Sequence, residues 1–196
     1  MKRLALLCGA MLLFAGIASA QDKVEVFGGY SYVRFNPGQG ASGVNFNGGS
    51  GSIAYNFVPW LGVVADIGGY HWSGTGGSDA NVVSYLFGPK VSYHAGPITP
   101  FVQGLFGGVH GSGSNGTFCT VPGGIVHREG GAPITTCSGS ENAFASALGG
   151  GVDWNATPHI GVRLVQAEYV LTRFGFGGPN YTQNNVRVSA GVTFRW

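Results

Sequence analysis

The chain has 196 residues, of which 9% are charged, 13% are aromatic and 37 are glycine. Ten basic residues stand against eight acidic ones, but two of the basic residues lie in an N-terminal segment that we expect to be removed, which leaves eight of each. A neutral, charge-poor chain gives no support for binding to nucleic acid. After residue 20, no segment has the roughly 20 uninterrupted apolar residues of a membrane helix.

The first 20 residues have the three parts of a secretory signal peptide. Two basic residues precede an apolar run over residues 4–17, and Ala18, Ser19 and Ala20 supply the small residues of a cleavage site. We therefore expect a signal peptide over residues 1–20 and a single exported domain over residues 21–196.

Beyond the signal, apolar and polar residues alternate with period two, which predicts β-strands. The pattern is clearest near the C-terminus, where Val186, Val188, Val192 and Phe194 alternate with polar residues or glycine. Eight such segments follow one another in the chain, over about residues 23–35, 44–57, 61–72, 80–94, 101–110, 141–154, 159–174 and 184–196.

The connections between these segments alternate in length. Glycine-rich loops are expected near residues 36–44, 73–79, 111–140 and 174–182, and tight turns with proline near residues 58–60, 95–99 and 155–158. An irregular segment as long as 111–140 is unusual inside a compact soluble domain. It is usual on the outer side of a membrane barrel.

Charged residues fall on the strand face opposite the apolar residues. A sheet in lipid must close on itself, because hydrocarbon cannot satisfy unpaired backbone groups. The prediction is an all-β, eight-stranded, antiparallel up-and-down transmembrane barrel. Its lumen would hold a charge network of Glu25, Asp66, Lys90, Asp153, Arg163, Glu168, Arg187 and Arg195. Opposite signs on neighbouring strands predict two ion pairs, Asp66 with Lys90 and Asp153 with Arg163.

Predicted strand seven is irregular, because Arg163 and Glu168 have opposite parity. Both face inward only if a bulge near Val165 and Gln166 shifts the register by one residue.

Aromatic residues are expected to form a rim at each end of the barrel. One rim would contain Phe57, Trp60, Tyr93, Phe101, Trp154 and Trp196, and the other Tyr32, Tyr70, Trp72 and Phe174.

The last eight residues resemble the insertion signal of bacterial outer-membrane barrels. Gly191 precedes Phe194 and Trp196, which are the third-last and last residues. The resemblance implies that Gly191, Phe194 and Trp196 take part in recognition by the barrel assembly machinery.

The strand pattern, the tail and two internal runs, residues 87–93 and 100–103, resemble the small eight-stranded outer-membrane barrels related to the OmpA transmembrane domain. The resemblance implies the outer membrane of a Gram-negative-type bacterium, an interior filled with side chains, and a structural or surface-interaction role. It implies no cofactor and names no ligand.

Cys119 and Cys137 are the two cysteines that remain after cleavage, and such a pair in an exported protein indicates a disulfide. A metal site that includes His110 and His127 is the alternative, although the spacing matches no tight ligand motif.

Three classes of function fit these predictions. The first is a non-enzymatic barrel whose lumen is plugged by the charge network, with a narrow porin for small solutes as its variant. The second is a lipid A-modifying enzyme, for which His71, Ser73, Ser78 and Asp79 would supply the chemistry at the outer rim. The third is contact with an extracellular partner through residues 111–140.

The expected surroundings follow from the predicted fold. We expect a monomer that contacts outer-membrane lipid and lipopolysaccharide, with no nucleic-acid partner.

Overall fold

A computed structural model describes residues 23–36, 43–74, 79–114, 138–174 and 181–196. These residues form eight strands: β1 (Val24–Phe35), β2 (Val44–Val58), β3 (Leu61–Ser73), β4 (Asp79–Ser92), β5 (Ile98–Ser114), β6 (Ser138–Asn155), β7 (Ile160–Phe174) and β8 (Tyr181–Arg195). Within the described ranges, no helix has the length and apolar character needed to cross a membrane.

The eight strands form one closed barrel. Each strand pairs antiparallel with the next along the chain, and β8 pairs with β1. At the closing seam, Val24 N donates to Trp196 O at 3.0 Å, and Trp196 N donates to Val24 O at 3.1 Å. The predicted eight-stranded antiparallel barrel is therefore confirmed.

The two ends of the barrel differ in their connections. At one end, tight links join β2 to β3, β4 to β5 and β6 to β7; in the second link, Gly96 has a φ of 63°, which favours glycine. We call this the short-loop end. The opposite end, where residues 36–43, 74–78, 115–137 and 175–180 connect the strands, is the long-loop end.

The irregular segment expected over residues 111–140 is shorter than predicted. The ladder between β5 and β6 continues to the pair Ser114 and Ser138. Glycine and serine hide the alternation in this part of the sequence, whereas backbone pairing does not depend on the side chain.

The outer wall of the barrel is apolar. Ile53, Ile67, Phe87, Val102 and Leu148 all point away from the lumen, and the exposed fraction reaches 69% for Leu148. Large apolar side chains on the outside and charged side chains inside are the reverse of a water-soluble domain.

The expected bulge in β7 is confirmed. Arg163 and Gln166 are both buried, whereas the two residues between them, Leu164 and Val165, are 53% and 44% exposed. The register between β7 and β8 shifts between Arg163 and Gln166. The bulge therefore brings Arg163 and Glu168 to the same side of the sheet.

The aromatic rims were predicted correctly only in part. Phe57, Trp60, Tyr93, Trp154 and Trp196 are exposed near the short-loop end. Phe101, Tyr70 and Phe174 are instead buried inside the barrel, and Trp72 packs against the interior cluster of Phe46 and Tyr70. The physical reason is parity: these residues alternate with the outward apolar residues of their strands.

Candidate functional site

The charged residues of the predicted network all lie inside the barrel. They come from β1, β3, β4, β6, β7 and β8, and their exposed fractions run from 0% for Asp153 to 7% for Arg195. The interior therefore contains four acids and four bases that are shielded from solvent.

Five of these residues form a cluster nearer the short-loop end, which we call the lower cluster: Glu25, Lys90, Asp153, Arg163 and Arg195. Glu25 contacts three bases, with nitrogen–oxygen distances of 2.5 Å to Lys90, 2.9 Å to Arg163 and 3.0 Å to Arg195. Asp153 contacts Arg163 at 2.8 Å and Arg195 at 2.9 Å. Two acids and three bases give the lower cluster a formal charge of +1.

Aromatic rings surround the bases of the lower cluster. The Arg163 guanidinium lies 4.3 Å from the ring centres of both Phe27 and Phe101. Lys90 Nζ lies 4.6 Å from the ring centre of Phe101. These cation–π contacts partly replace the hydration that the cations lose on burial.

The other three charged residues, Asp66, Glu168 and Arg187, form the upper cluster nearer the middle of the barrel. Arg187 donates to Glu168 at 2.6 Å and to Asp66 at 2.7 Å. It also donates to the Tyr70 hydroxyl at 3.0 Å. With two acids and one base, the upper cluster has a formal charge of −1.

The predicted ion pairs have different outcomes. Arg163 contacts Asp153 as predicted. The pair of Asp66 with Lys90 was wrong, because these residues bond to Arg187 and Glu25 instead. In the ladder, Asp66 lies opposite Leu86 and Lys90 lies opposite Gly62. The two charges are therefore four residues apart along neighbouring strands, which is about 14 Å.

Neutral polar residues extend the hydrogen bonding inside the barrel. Gln103 donates to Glu168 at 2.9 Å, and Arg163 donates to Gln166 at 2.7 Å. The Ser31 hydroxyl is hydrogen-bonded to those of Ser50 at 2.6 Å and Ser189 at 2.7 Å. Gln166 was not predicted to face inward, although its parity after the bulge in β7 indicates that position; Ser189 lies on the polar face predicted for β8, but its contact with Ser31 was not predicted.

The long-loop half of the interior contains apolar clusters beside the hydrogen-bonded polar residues Thr172, Gln183 and Asn185. A cavity of about 60 Å³ lies there, lined by apolar residues that include Phe35, Phe46, Leu86, Val109, Ala145 and Phe174. The polar residues Tyr70, Ser84, Thr172, Asn185 and Arg187 also line it. We call this cavity the apolar chamber, and Arg187 belongs to both the chamber and the upper cluster.

The other residues singled out in the sequence lie away from this interior. The His71 ring is exposed, with Nδ1 2.8 Å from Asn81 Oδ1 and Nε2 2.8 Å from Ser73 Oγ. His110 Nδ1 lies 2.9 Å from Asn142 Oδ1. Cys119, Cys137, His127 and Ser78 are outside the described residues, as is the signal peptide.

The tail residues lie at the seam between β8 and β1. Phe194 and Trp196 point outward and are 47% and 59% exposed. Gly191 lies opposite Gly29 in the ladder.

A closed barrel with an apolar outer wall and a charged interior defines a class, the transmembrane β-barrels of bacterial outer membranes. The comparison with protein families agrees: the sequence model of the outer membrane protein beta-barrel domain matches residues 4–194. The chain belongs to this family, and its location is the outer membrane of a Gram-negative bacterium.

Solved structures show the same fold at low sequence identity. The attachment invasion locus protein Ail of Yersinia pestis is 17% identical, with 89% of this chain and 99% of that chain covered and a TM-score of 0.60. Neisserial surface protein A is 14% identical, with coverage of 89% and 97% and a TM-score of 0.62. OprG of Pseudomonas aeruginosa is 11% identical, with coverage of 90% and 96% and a TM-score of 0.50. These similarities confirm the expected resemblance to small eight-stranded outer-membrane barrels. The search of curated proteins finds no match.

Proposed function

We propose that this protein is a non-enzymatic outer-membrane barrel, with a structural or surface-interaction role, whose charged clusters close the lumen. The observation that carries the proposal is the set of ion pairs across the lumen, in which β1 is linked to β4 and β3 to β8. An eight-stranded barrel is just wide enough for side chains to fill it. Residues that reach across it therefore leave little room for a continuous water path.

The balance of charge supports the same proposal. Isolated charges are costly to bury, so a water-free interior requires pairing. The four acids all contact a base, and the +1 of the lower cluster offsets the −1 of the upper cluster. A water-filled pore has no such requirement.

Planar-bilayer recording tests the proposal directly. Refolded wild-type protein, with insertion verified by its resistance to SDS before heating, should show no steady ohmic conductance. A steady conductance in proportion to inserted protein would overturn the closed lumen and favour the narrow porin.

The proposal that the barrel is not an enzyme rests on the surroundings of His71. Its two ring nitrogens contact an amide oxygen and a hydroxyl, so neither of these bonds provides the carboxylate of a catalytic triad. Mass spectrometry of lipid A from cells with and without the protein should show the same acyl pattern. A change in acyl number that His71→Ala abolishes would favour the lipid A-modifying enzyme instead.

We further propose that the long-loop end faces the outside of the cell, because short turns are periplasmic in outer-membrane barrels. Contact with an extracellular partner would then involve residues 115–137.

One Ail structure contains the heparin analogue sucrose octasulfate. Here, Arg128 and Glu129 are the only Arg, Lys, Asp or Glu residues in this segment, so its charge does not favour a sulfated ligand. Replacing residues 115–137 by a glycine-serine linker should reduce attachment to host cells without changing the amount of barrel; unchanged attachment would contradict this role.

We propose that the outer wall contacts lipid and lipopolysaccharide, that the barrel assembly machinery inserts the chain, and that the barrel is a monomer. Light scattering of the protein in nanodiscs large enough for more than one chain measures the protein mass per disc and so tests the monomeric state. A protein mass that always corresponds to two chains per disc would contradict a monomer.

A further inference from the structure

Two arginines at the long-loop end differ from the bases inside the barrel. Arg34 on β1 and Arg173 on β7 are exposed, and the alternation of their strands points both away from the lumen. The ion pairs among the described residues all lie inside the barrel, and none of them includes either arginine. Arg34 donates to the side-chain oxygen of Asn45 at 2.6 Å, which is a neutral partner. The residues that the structure describes therefore leave both positive charges uncompensated.

The two arginines lie on opposite sides of β8, at the seam that closes the barrel. Arg34 is opposite Val186 and Arg173 is opposite Thr182. Four residues along the strand and two strand spacings place their Cα atoms about 16 Å apart. Asn184, which is exposed on β8, lies between them. We call Arg34, Arg173 and Asn184 the basic patch.

Acidic residues lie away from the basic patch. Of the described acids, four belong to the interior clusters, and the other two are Asp79 on β4 and Glu141 on β6. β4 is across the barrel from β8. Glu141 is three residues beyond Phe144, the residue opposite Arg173, and this is about 10 Å along the strand. The basic patch therefore favours an anion.

The outer wall next to the basic patch is apolar. Toward the short-loop end, β8 presents the exposed side chains of Val186 and Val188, and the exposed rings of Tyr30 on β1 and Tyr169 on β7 flank them. Because valine is shorter than tyrosine, β8 forms the floor of a shallow groove between the two rings. The Tyr30 hydroxyl donates to Asn47 on β2 at 2.6 Å, so this ring leans away from the groove.

The position of the patch and the chemistry of arginine define the ligand. A charge on the lipid-facing wall is costly at the middle of the bilayer and is tolerated near its surface, where lipid headgroups lie. Arginine binds phosphate through two parallel hydrogen bonds, which gives it a preference for this anion. A molecule that contacts both the patch and the groove has phosphate at one end and hydrocarbon at the other. Two arginines on opposite sides of one strand favour a lipid with two separate phosphates.

We propose that the basic patch and the groove bind one molecule of bisphosphorylated lipid A from the outer leaflet. One phosphate bonds to Arg34 and the other to Arg173, Asn184 forms a hydrogen bond with the sugar between them, and an acyl chain lies along β8. The proposal rests on the proposed contact of the outer wall with lipopolysaccharide and on the long-loop end facing the outside, and it assigns that contact to a defined site.

Titration with lipids in nanodiscs tests the site. Refolded protein with labelled valine methyl groups is placed in phosphatidylcholine nanodiscs that contain increasing fractions of bisphosphorylated lipid A, monophosphorylated lipid A or cardiolipin. We expect saturable shifts of the Val186 and Val188 signals with bisphosphorylated lipid A. Monophosphorylated lipid A should bind about tenfold more weakly, because one hydrogen-bonded charge is lost. Cardiolipin should also bind more weakly, because one glycerol joins its two phosphates.

The same measurement contains its own reference. Val102 is exposed on the outer wall at β5, away from the seam, and its signal reports general contact with the added lipid. Lipid A enters both leaflets of a nanodisc, so the result does not depend on which end of the barrel faces the outside of the cell. It is also independent of whether the lumen conducts, which planar-bilayer recording measures.

Variants identify the binding groups. Arg34→Gln and Arg173→Gln should each weaken binding of bisphosphorylated lipid A by about tenfold. Lys23→Gln removes the same charge from an exposed lysine at the short-loop end and should leave binding unchanged. In Arg173→Gln the two forms of lipid A should bind equally, because one arginine remains. Val188→Phe fills the groove and should weaken binding, whereas Val102→Phe should not.

Three results would overturn the inference. The first is a shift of the Val186 signal that rises in proportion to lipid A without saturation and follows that of Val102, as in ordinary lipid contact. The second is equal binding of bisphosphorylated lipid A and either of the other two lipids by the wild type. The third is wild-type affinity in both arginine variants. If Arg34→Gln does not fold, Arg173→Gln and the comparison of lipids in the wild type still decide the outcome.

Discussion

Arg187 on β8 donates a hydrogen bond across the lumen to Asp66 on β3, 2.7 Å away and 121 positions earlier in the chain. The same guanidinium donates to Glu168 on the neighbouring strand β7 at 2.6 Å. One side chain therefore forms an ion pair with an acid on each of two walls, and it also borders the apolar chamber. The upper cluster depends on Arg187 as its single base.

Replacing Arg187 should destabilise the barrel strongly. Arg187→Met leaves Asp66 and Glu168 buried without their base, and breaking a buried pair in this way costs about 3–5 kcal/mol. Unfolding in urea measures the loss of free energy. Arg173→Met, at an exposed arginine near the end of β7, is the control and should change stability little. Equal stability of the two variants would contradict the role of Arg187.

A triple variant separates lost pairing from lost packing. Adding Asp66→Asn and Glu168→Gln to Arg187→Met removes the unpaired charges together with the base. The triple variant should unfold at a higher urea concentration than Arg187→Met alone, because replacement of a whole buried ion cluster costs less than removal of one member. A further loss of stability would show that the two acids have other essential partners.

Gly191 should be required for the closing seam. A methyl group at this position would clash with the carbonyl oxygen of Gly28 on the paired strand, which is backbone and cannot rotate away. Gly191→Ala should therefore lower stability by about 1–3 kcal/mol, as overpacking does. Gly28→Ala is the matched control, since a methyl group there meets nothing within 4 Å. Equal urea midpoints for the two variants would be the contrary result.

The alternation of residues in the sequence was enough to predict the eight strands, the closed barrel and the inward side for the eight charged residues of the predicted network. Parity also led to the bulge between Arg163 and Gln166. Contacts across the lumen were not predictable in this way. Lys90 bonds to Glu25, 65 positions away, and this depends on strand tilt and stagger, which alternation does not determine.

The apolar chamber was not predicted, because aromatic residues near strand ends were assigned to a membrane rim. Phe174 and Tyr70 were assigned to an aromatic rim because they lie near strand ends, although their parity places them inside. The Phe35 ring packs edge to face against two other rings. Its centre lies 6.1 Å from that of Phe46 and 6.4 Å from that of Phe174. An interior that changes from charged to apolar along its axis is a property of the assembled barrel, since these three rings come from β1, β2 and β7.

Phe194 and Trp196 should affect assembly more than stability. Both point outward at the seam, and both belong to the tail that resembles an insertion signal. Exchanging both for alanine should lower the amount of heat-modifiable protein in the outer membrane. Trp154→Ala, at another exposed aromatic of the short-loop end, is the control and should leave this amount nearly unchanged. If both proteins accumulate equally, the tail has no special role.

The predicted disulfide between Cys119 and Cys137 should leave the barrel unaffected. Such a bond would restrain its own segment by about 3 kcal/mol in the chain-entropy model, whereas the ladder from β1 to β8 closes without it. Replacing both cysteines by serine should leave the urea midpoint unchanged and should increase proteolysis within residues 115–137. Labelling of both thiols in native, non-reduced protein would show that the bond is absent.

Arg163 should close the lumen by its volume more than by its charge. It bonds to Glu25 at 2.9 Å and to Asp153 at 2.8 Å; without it, these acids retain Lys90 and Arg195. Arg163→Ala should therefore destabilise the barrel less than Arg187→Met, while it opens space between Phe27 and Phe101. We expect small conductance steps in planar bilayers for Arg163→Ala, and none for wild type or for Arg163→Met, which refills the space. A wild type that conducts as steadily as Arg163→Ala would show that this arginine does not close the barrel.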